Sequence, residues 1–341
     1  MYITLPGLLA FSGVVVVTVS STAASEPARA DDLGLRGALQ QTSNFDGSAQ
    51  HVQSPPSDPD RIRNRDPQPE NAQARPARQN SSTNTWAIFG FTEGSDTATT
   101  GERLPYGESV LRFSRRDSNF ASASGNLGLA YGTSDRMVVW AAGSSFSRQS
   151  FNLPQEFNDA QSFGALAGLK YQVLQRNSDP VGLSLQAEPF WERAVERGPV
   201  RRQTLGSEFR MIVDTALIPD ELFAAVNLAY EPAISATDVG HGDCESNLET
   251  SLAFSSHVLD NVFLGAEMRY QTKYSGLFFS QSLGSAWFAG PTIYVSLGKN
   301  GYLGTAWLIQ FHGRAAEQPN QSLDLVNYGR HQVRLKFGYG F

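Results

Sequence analysis

The side chains able to bind a metal or attack a substrate are few: histidines at 51, 241, 257, 312 and 331, one cysteine, Cys244, and scattered serines. Their spacing assembles no site. Neither H-E-x-x-H nor an i,i+4 histidine pair occurs, so zinc ligation from one helix face has no support. The densest ligand cluster, His241-Gly242-Asp243-Cys244-Glu245, has a single thiol and fits no tetrahedral ligand set, so it reads as a solvated loop. Nucleophilic catalysis needs an oriented serine, a base and a third group, and G-x-S-x-G is missing. Gly125-Asn126-Leu127-Gly128 lacks the strand–turn–helix setting in which glycines cradle phosphate. The expectation is no catalytic residue, no metal and no cofactor.

What remains is a set of charged side chains on the polar register of alternating segments: Lys170, Glu188, Glu208, Arg210, Asp214, Glu249, Glu267, Arg269, Arg334 and Lys336. Around Lys170 the opposite register holds Phe163, Ala165, Ala167, Leu169, Tyr171 and Val173. Around Glu208, Arg210 and Asp214 it holds Leu205, Phe209, Met211 and Val213. Around Glu267 and Arg269 it holds Val262, Leu264, Ala266, Met268 and Tyr270. Period-two alternation means strands. If the apolar register faces lipid, the charges face a lumen, because a Lys or Arg on the lipid face at midplane costs about 2–4 kcal/mol. There the charges, above all Glu208, Arg210, Glu267 and Arg269, have two roles open to them. They line an aqueous path and tune its selectivity, or they pair across a small lumen and close it.

The elements that hold these charges follow from segment and connection lengths. The segments exceed the usual soluble strand of about 5–6 residues and match the roughly 9–11 needed to span a bilayer. Short turn signals sit at Thr133-Ser134-Asp135, Asn177-Ser178-Asp179-Pro180, Pro219-Asp220-Glu221, Leu259-Asp260-Asn261 and Lys299-Asn300-Gly301, recurring every 40–44 residues. Longer connections lie between them, at 149–160, 195–203, 232–245, 274–285 and 313–327. Turns alternating with longer loops are the pattern of an outer-membrane barrel.

Working back from residue 341 gives strands at 107–115, 118–131, 136–148, 161–174, 181–193, 204–217, 221–231, 246–257, 261–273, 286–298, 301–312 and 328–341. The fold class is all-β: a transmembrane antiparallel up-and-down barrel of about 12 strands, bracketed by 10 and 14, over residues 106–341. Trp86–Thr92 would make an odd strand and is left out of the wall. Residues 86–105 are therefore expected as a plug or a segment at the periplasmic mouth.

Composition agrees. Lys+Arg 27 against Asp+Glu 33 gives a net charge of −6, without the basic excess of a nucleic-acid binder. One cysteine excludes an internal disulfide framework. A mean hydropathy of −0.29 opposes a polytopic helical membrane protein, and Gly 31 with Phe 21 suits a membrane barrel. Residues 3–19 form an apolar run followed by small residues, the form of a signal peptide over 1–30 cleaved after Ala23 or Ala30, although no Lys or Arg precedes the run. Residues 31–85, with prolines at 55, 56, 59, 67, 69 and 76 and no apolar period, read as a disordered periplasmic tail, with a tether to peptidoglycan or a partner as the alternative.

Two short motifs carry a resemblance. The C-terminus, with Phe337, Tyr339 and Phe341, resembles the closing strand of Gram-negative outer-membrane proteins, which implies a signal for the barrel-assembly machinery. Tyr131-Gly132-Thr133-Ser134-Asp135-Arg136 resembles a turn of uncharacterised proteobacterial barrels, among them the transporter-like family of the meta-pathway of phenol degradation. Trp191, Tyr230, Phe254, Tyr270 and Tyr339 fit an interfacial girdle. The resemblance implies a cell outer-membrane location, contact with outer-membrane lipid and lipopolysaccharide, and a narrow channel or transporter for a small-molecule solute. A structural or interaction barrel is the alternative, and a lipid-modifying enzyme the more distant one. Nucleic acid is not expected as a partner.

Overall fold

A computed structural model describes residues 87–114, 120–150, 160–195, 201–238, 240 and 242–341. The expected signal peptide, the 31–85 tail, Trp86 and His241 lie outside the described residues. Among the described residues, twelve strands form one closed antiparallel barrel. They are β1 Arg103–Phe113, β2 Phe120–Ser134, β3 Met137–Ser150, β4 Ala160–Leu174, β5 Gly182–Val195 and β6 Arg201–Ile218, followed by β7 Leu222–Thr237, β8 Gly242–Leu259, β9 Val262–Ser275, β10 Gln281–Leu297, β11 Gly301–Ala315 and β12 His331–Tyr339. Each strand pairs with its sequence neighbours, and β1 closes on β12 from Tyr106↔Gly338 to Phe113↔His331.

The pleat sorts the side chains as the alternation requires. Leu169, Leu185, Phe209, Leu228, Leu264 and Leu335 are exposed on the outer face, whereas Lys170, Arg210, Asp214, Glu267, Arg269, Gln332 and Arg334 are buried inside. This is the inverse of a water-soluble core.

Cross-strand pairs trim the wall. The Phe337 ring lies over the outer face of Gly107, its register partner, where a Cβ would meet the ring at 2.3 Å. Inside, Trp140 covers Gly168 and Tyr302 covers Gly338 in the same manner. Part of the glycine content is thus room for an aromatic ring on the adjacent strand.

The boundaries differ from the expected ones in two instructive places. β1 starts at Arg103 rather than 107. Pro105 has no N–H to give a ladder, which masks the strand in the sequence, yet Arg103 exchanges two backbone bonds of 3.0 Å with Phe341. The long loop expected at 232–245 is a short connection from Thr237 to Gly242, because β7 and β8 continue pairing to Ala236↔Gly242. Asp243, Cys244 and Glu245 are therefore strand residues; Glu245 bonds Lys273 at 2.8 Å and Cys244 is exposed. The connection between β11 and β12 folds onto the barrel end. There Asp324 is fully buried and takes the backbone N–H groups of Val326 and Asn327 at 3.2 and 3.0 Å.

Candidate functional site

The chain ahead of β1 runs inside the barrel as a plug from Ala87 to Ala98 and is exposed from Thr99 to Gly101. It has no strand to satisfy its backbone, so wall side chains must do so. Ala87, Ile88 and Phe89 pack among Leu104, Ala130, Val138, Phe223, Phe263 and Tyr294 near the short-turn end. At Gly90 a Cβ would lie 2.4 Å from Glu267 Oε2 and 2.6 Å from Ala306 Cβ, so the backbone passes as close to the wall as a chain can. Phe91 N donates to Glu267 Oε2 at 2.7 Å, and Thr92 donates to Glu267 Oε1 from N at 2.7 Å and from Oγ1 at 2.8 Å. A fully buried carboxylate is tolerable only with such compensation.

Farther along, Asn227 clamps the Glu93 peptide from both sides: Glu93 N donates to its Oδ1 at 2.6 Å, and its Nδ2 donates to Glu93 O at 3.0 Å. Lys170 Nζ donates to Gly94 O at 2.9 Å. Ser95 donates to Asp214 through N at 2.9 Å and Oγ at 2.6 Å, and Ser184 Oγ donates to Ser95 O at 2.5 Å. Arg176 bridges Asp96 at 2.5 Å and Asp214 at 3.1 Å. The segment then leaves by the β2–β3 turn, where Thr100 Oγ1 donates to Asp135 at 2.5 Å and Gly101 N to Gly132 O at 2.8 Å.

Electrostatics within the plug follow from this placement. Burial pushes the Glu93 carboxyl up, but Arg210, Lys170, Arg334 and Lys336 together outweigh it and hold the group at about 2. Burial also raises Asp96, only partly offset by Arg176. Hydrogen bonds from Thr100 hold Asp135 low.

Beyond the plug lies a cavity of about 610 Å³, floored by Phe91 and Glu93 and reaching Val326, Asn327 and Tyr328 at the other end. The ten charges singled out in the sequence meet the plug, border the cavity, or, as with Arg210, Arg269 and Arg334, do both. Lys170, Asp214 and Glu267 meet the plug. Glu188, Glu208, Arg210, Glu249, Arg269, Arg334 and Lys336 border the cavity. Several of these are paired. Arg210 holds Glu208 through Nε at 2.9 Å and Nη2 at 3.0 Å. Arg269 holds Glu249 through Nε at 3.2 Å and through Nη2, and stacks over Phe91 at 4.1 Å. Arg334 Nη2 meets Glu108 at 2.6 Å and its Nη1 reaches Phe91 O at 3.0 Å. Glu188 accepts the Trp140 indole N–H at 2.6 Å and stands directly across from Glu208.

Reasoning from sequence missed Glu93, Asp96, Glu108, Arg112, Arg176 and, as a clamp, Asn227. Glu108 and Arg112 share the inner face of β1 with Tyr106 and Val110, so no clean polar register marks them. Arg176 lies in the β4–β5 turn and folds back into the barrel. Phe337, Tyr339 and Phe341 all stand exposed on the outer face. Among the described residues no group of three or more metal-ligating side chains occurs.

No curated protein matches the sequence. Solved structures with a similar fold include the translocator domain of the autotransporter NalP from Neisseria meningitidis, at 14% identity, TM-score 0.45, over 72% of this chain and 91% of that one. An outer membrane channel from Pseudomonas putida F1 is 11% identical with TM-score 0.49, over 72% and 98% of the two chains. The beta domain of the Bordetella autotransporter BrkA is 11% identical with TM-score 0.46, over 72% and 100%. At these identities the likeness is one of barrel form alone. The family model that matches is described as a family of unknown function (DUF6662); it spans residues 81–341, which hold the plug and all twelve described strands, and the chain belongs to that family.

Proposed function

We propose that the protein is a gated outer-membrane channel for small polar or amphipathic solutes, closed at rest by residues 87–102. One observation carries the reading: a closed barrel, apolar outside, holds a charge-lined cavity of about 610 Å³ blocked by a segment that is not part of the wall. From Phe91 to Asp96 the plug is tied to the wall by side-chain bonds rather than a strand ladder, so this stretch can leave without opening the barrel. A contiguous apolar outer surface of this extent needs a cover, and acyl chains of the outer membrane supply it. Outer-membrane lipid and lipopolysaccharide, the barrel-assembly machinery acting on Phe337, Tyr339 and Phe341, and a small-molecule solute are the partners that go with this reading. The resemblance of the Tyr131–Arg136 turn to transporter-like barrels of the phenol meta-pathway points the same way.

Planar-bilayer recording of the full chain tests it. The native protein is expected to conduct rarely. Deletion of residues 87–101 is expected to give discrete steps whose ion selectivity changes in Arg269→Ala and Arg210→Ala.

The pairing of Arg210 with Glu208, Arg269 with Glu249 and Arg334 with Glu108 favours a second reading, a structural or interaction barrel whose lumen is tied shut. A barrel that stays electrically silent with 87–101 deleted selects that one.

A further inference from the structure

Glu93 lies where cations from three wall strands converge: Lys170 on β4, Arg210 on β6, and Arg334 with Lys336 on β12. Its peptide is clamped by Asn227, but its carboxylate is held loosely. The ion pair to Arg334 Nη2 is 3.9 Å long, and no described residue donates a hydrogen bond to the carboxylate.

Beside it, donors stand without acceptors. Lys336 is nine-tenths buried, at 9% exposure, and makes no hydrogen bond or ion pair among the described residues, although it borders the cavity. Arg334 Nε is buried and has no hydrogen-bond partner among the described residues. A buried donor without an acceptor is costly, and a buried cation more so. The complement to both is an anion. Phe91, Tyr106, Trp140 and Tyr302 border the same cavity and offer apolar surface to whatever the anion carries.

The geometry points to an anion site between Lys336 and Arg334, at which a small organic carboxylate from solution binds and the Glu93 carboxylate is the resident stand-in that it displaces. A carboxylate with an aliphatic or aromatic tail suits this site better than a bare, strongly hydrated anion, because four aromatic rings border the same cavity. Displacing Glu93 also removes one tie between plug and wall, so the solute would loosen the barrier to its own passage. That last step rests on the channel reading; the binding does not.

Calorimetric titration of the purified, detergent-solubilised full chain tests the site, using butyrate, butylammonium and butanol as probes of one size and three charges. Butyrate is expected to bind, and the other two are not. Glu93→Gln is expected to tighten butyrate binding by about tenfold, close to 1.4 kcal/mol, by removing the internal competitor. Lys336→Met is expected to weaken it by a similar factor, and Lys336→Arg to retain it, which separates loss of the charge from loss of the fold. Butyrate binding no tighter in Glu93→Gln than in the native chain overturns the site. So does butylammonium binding as well as butyrate, or no butyrate binding in either protein. Conductance steps without butyrate binding would overturn the site and leave the channel standing. Tightened binding in a barrel still silent after deletion of 87–101 would do the reverse.

Discussion

Glu267 ties wall to plug with one carboxylate: both oxygens are committed, and three donors of Phe91 and Thr92 depend on them. A hydrogen bond to a charged group is worth about 1.5–3 kcal/mol, and unpaired buried donors add their own cost. Glu267→Ala is therefore expected to undock the centre of the plug, read as cleavage at Glu93 by a glutamate-specific protease under conditions that leave the native chain intact. Gly90→Ala should do the same by sterics alone, since its Cβ would collide with Glu267, Ala306 and Thr292. Glu93 sets a pH dependence. Its carboxyl falls from an ordinary 4.5 to about 2 in the docked plug, so the docked state favours the charged form. Its contribution is complete above pH 4.5 and is lost as the pH falls from there through about 2. If the barrel conducts as proposed, conductance of the native protein should rise as the pH falls across that window, and Glu93→Gln should remove that part of the rise.

At the scale of elements, the plug is a single connected strap whose middle is pinned by strands far apart in sequence. Ser184 Oγ on β5 lies 2.5 Å from Ser95 O. Ser95 Cβ lies 3.0 Å from where a Cβ on Gly182 would stand, so cysteines at 95 and 182, in a Cys244→Ser background, are expected to form a disulfide when oxidised. The expected result is a barrel locked shut, with conductance restored by a thiol reductant; conductance that persists in the oxidised form would mean that solutes bypass the plug. The strands themselves were legible in the sequence because a wall strand shows its two faces to two different media. The plug was legible only as the remainder of an odd count. Its run Phe91-Thr92-Glu93-Gly94-Ser95-Asp96 has no period, since each residue answers to a different partner on the wall.

For the molecule as a whole, the inversion of faces makes a quantitative demand. Leu228 stands exposed at the middle of β7. If that face meets acyl chains, Leu228→Arg should cost about 2–4 kcal/mol of folding free energy in vesicles. A change that leaves folding into vesicles untouched would remove lipid as the cover for the outer face. Closure makes a second demand, because β1 and β12 meet at Gly107 and Phe337. A side chain at 107 displaces the ring that seals the outside of that seam. Gly107→Val is expected to slow folding into vesicles more than a comparable substitution away from the seam.

The sequence by itself pointed to about twelve strands, bracketed by 10 and 14, to the apolar side of each, and to ten charges expected on the other side. The facing follows from alternation and the count from turn spacing, both local signals that need no knowledge of which strand lies opposite. Only the tertiary structure decided what the charges do there. Glu267 and Asp214 receive a segment 119–176 residues away along the chain, Arg210 and Arg269 turn to Glu208 and Glu249, and Lys336, buried near Glu93, makes no hydrogen bond or ion pair among the described residues. The physical reason is range. Facing is settled by each residue's immediate neighbours, whereas a partner is settled by barrel closure, which brings β12 beside β1 and folds the chain before β1 back into the space the wall encloses.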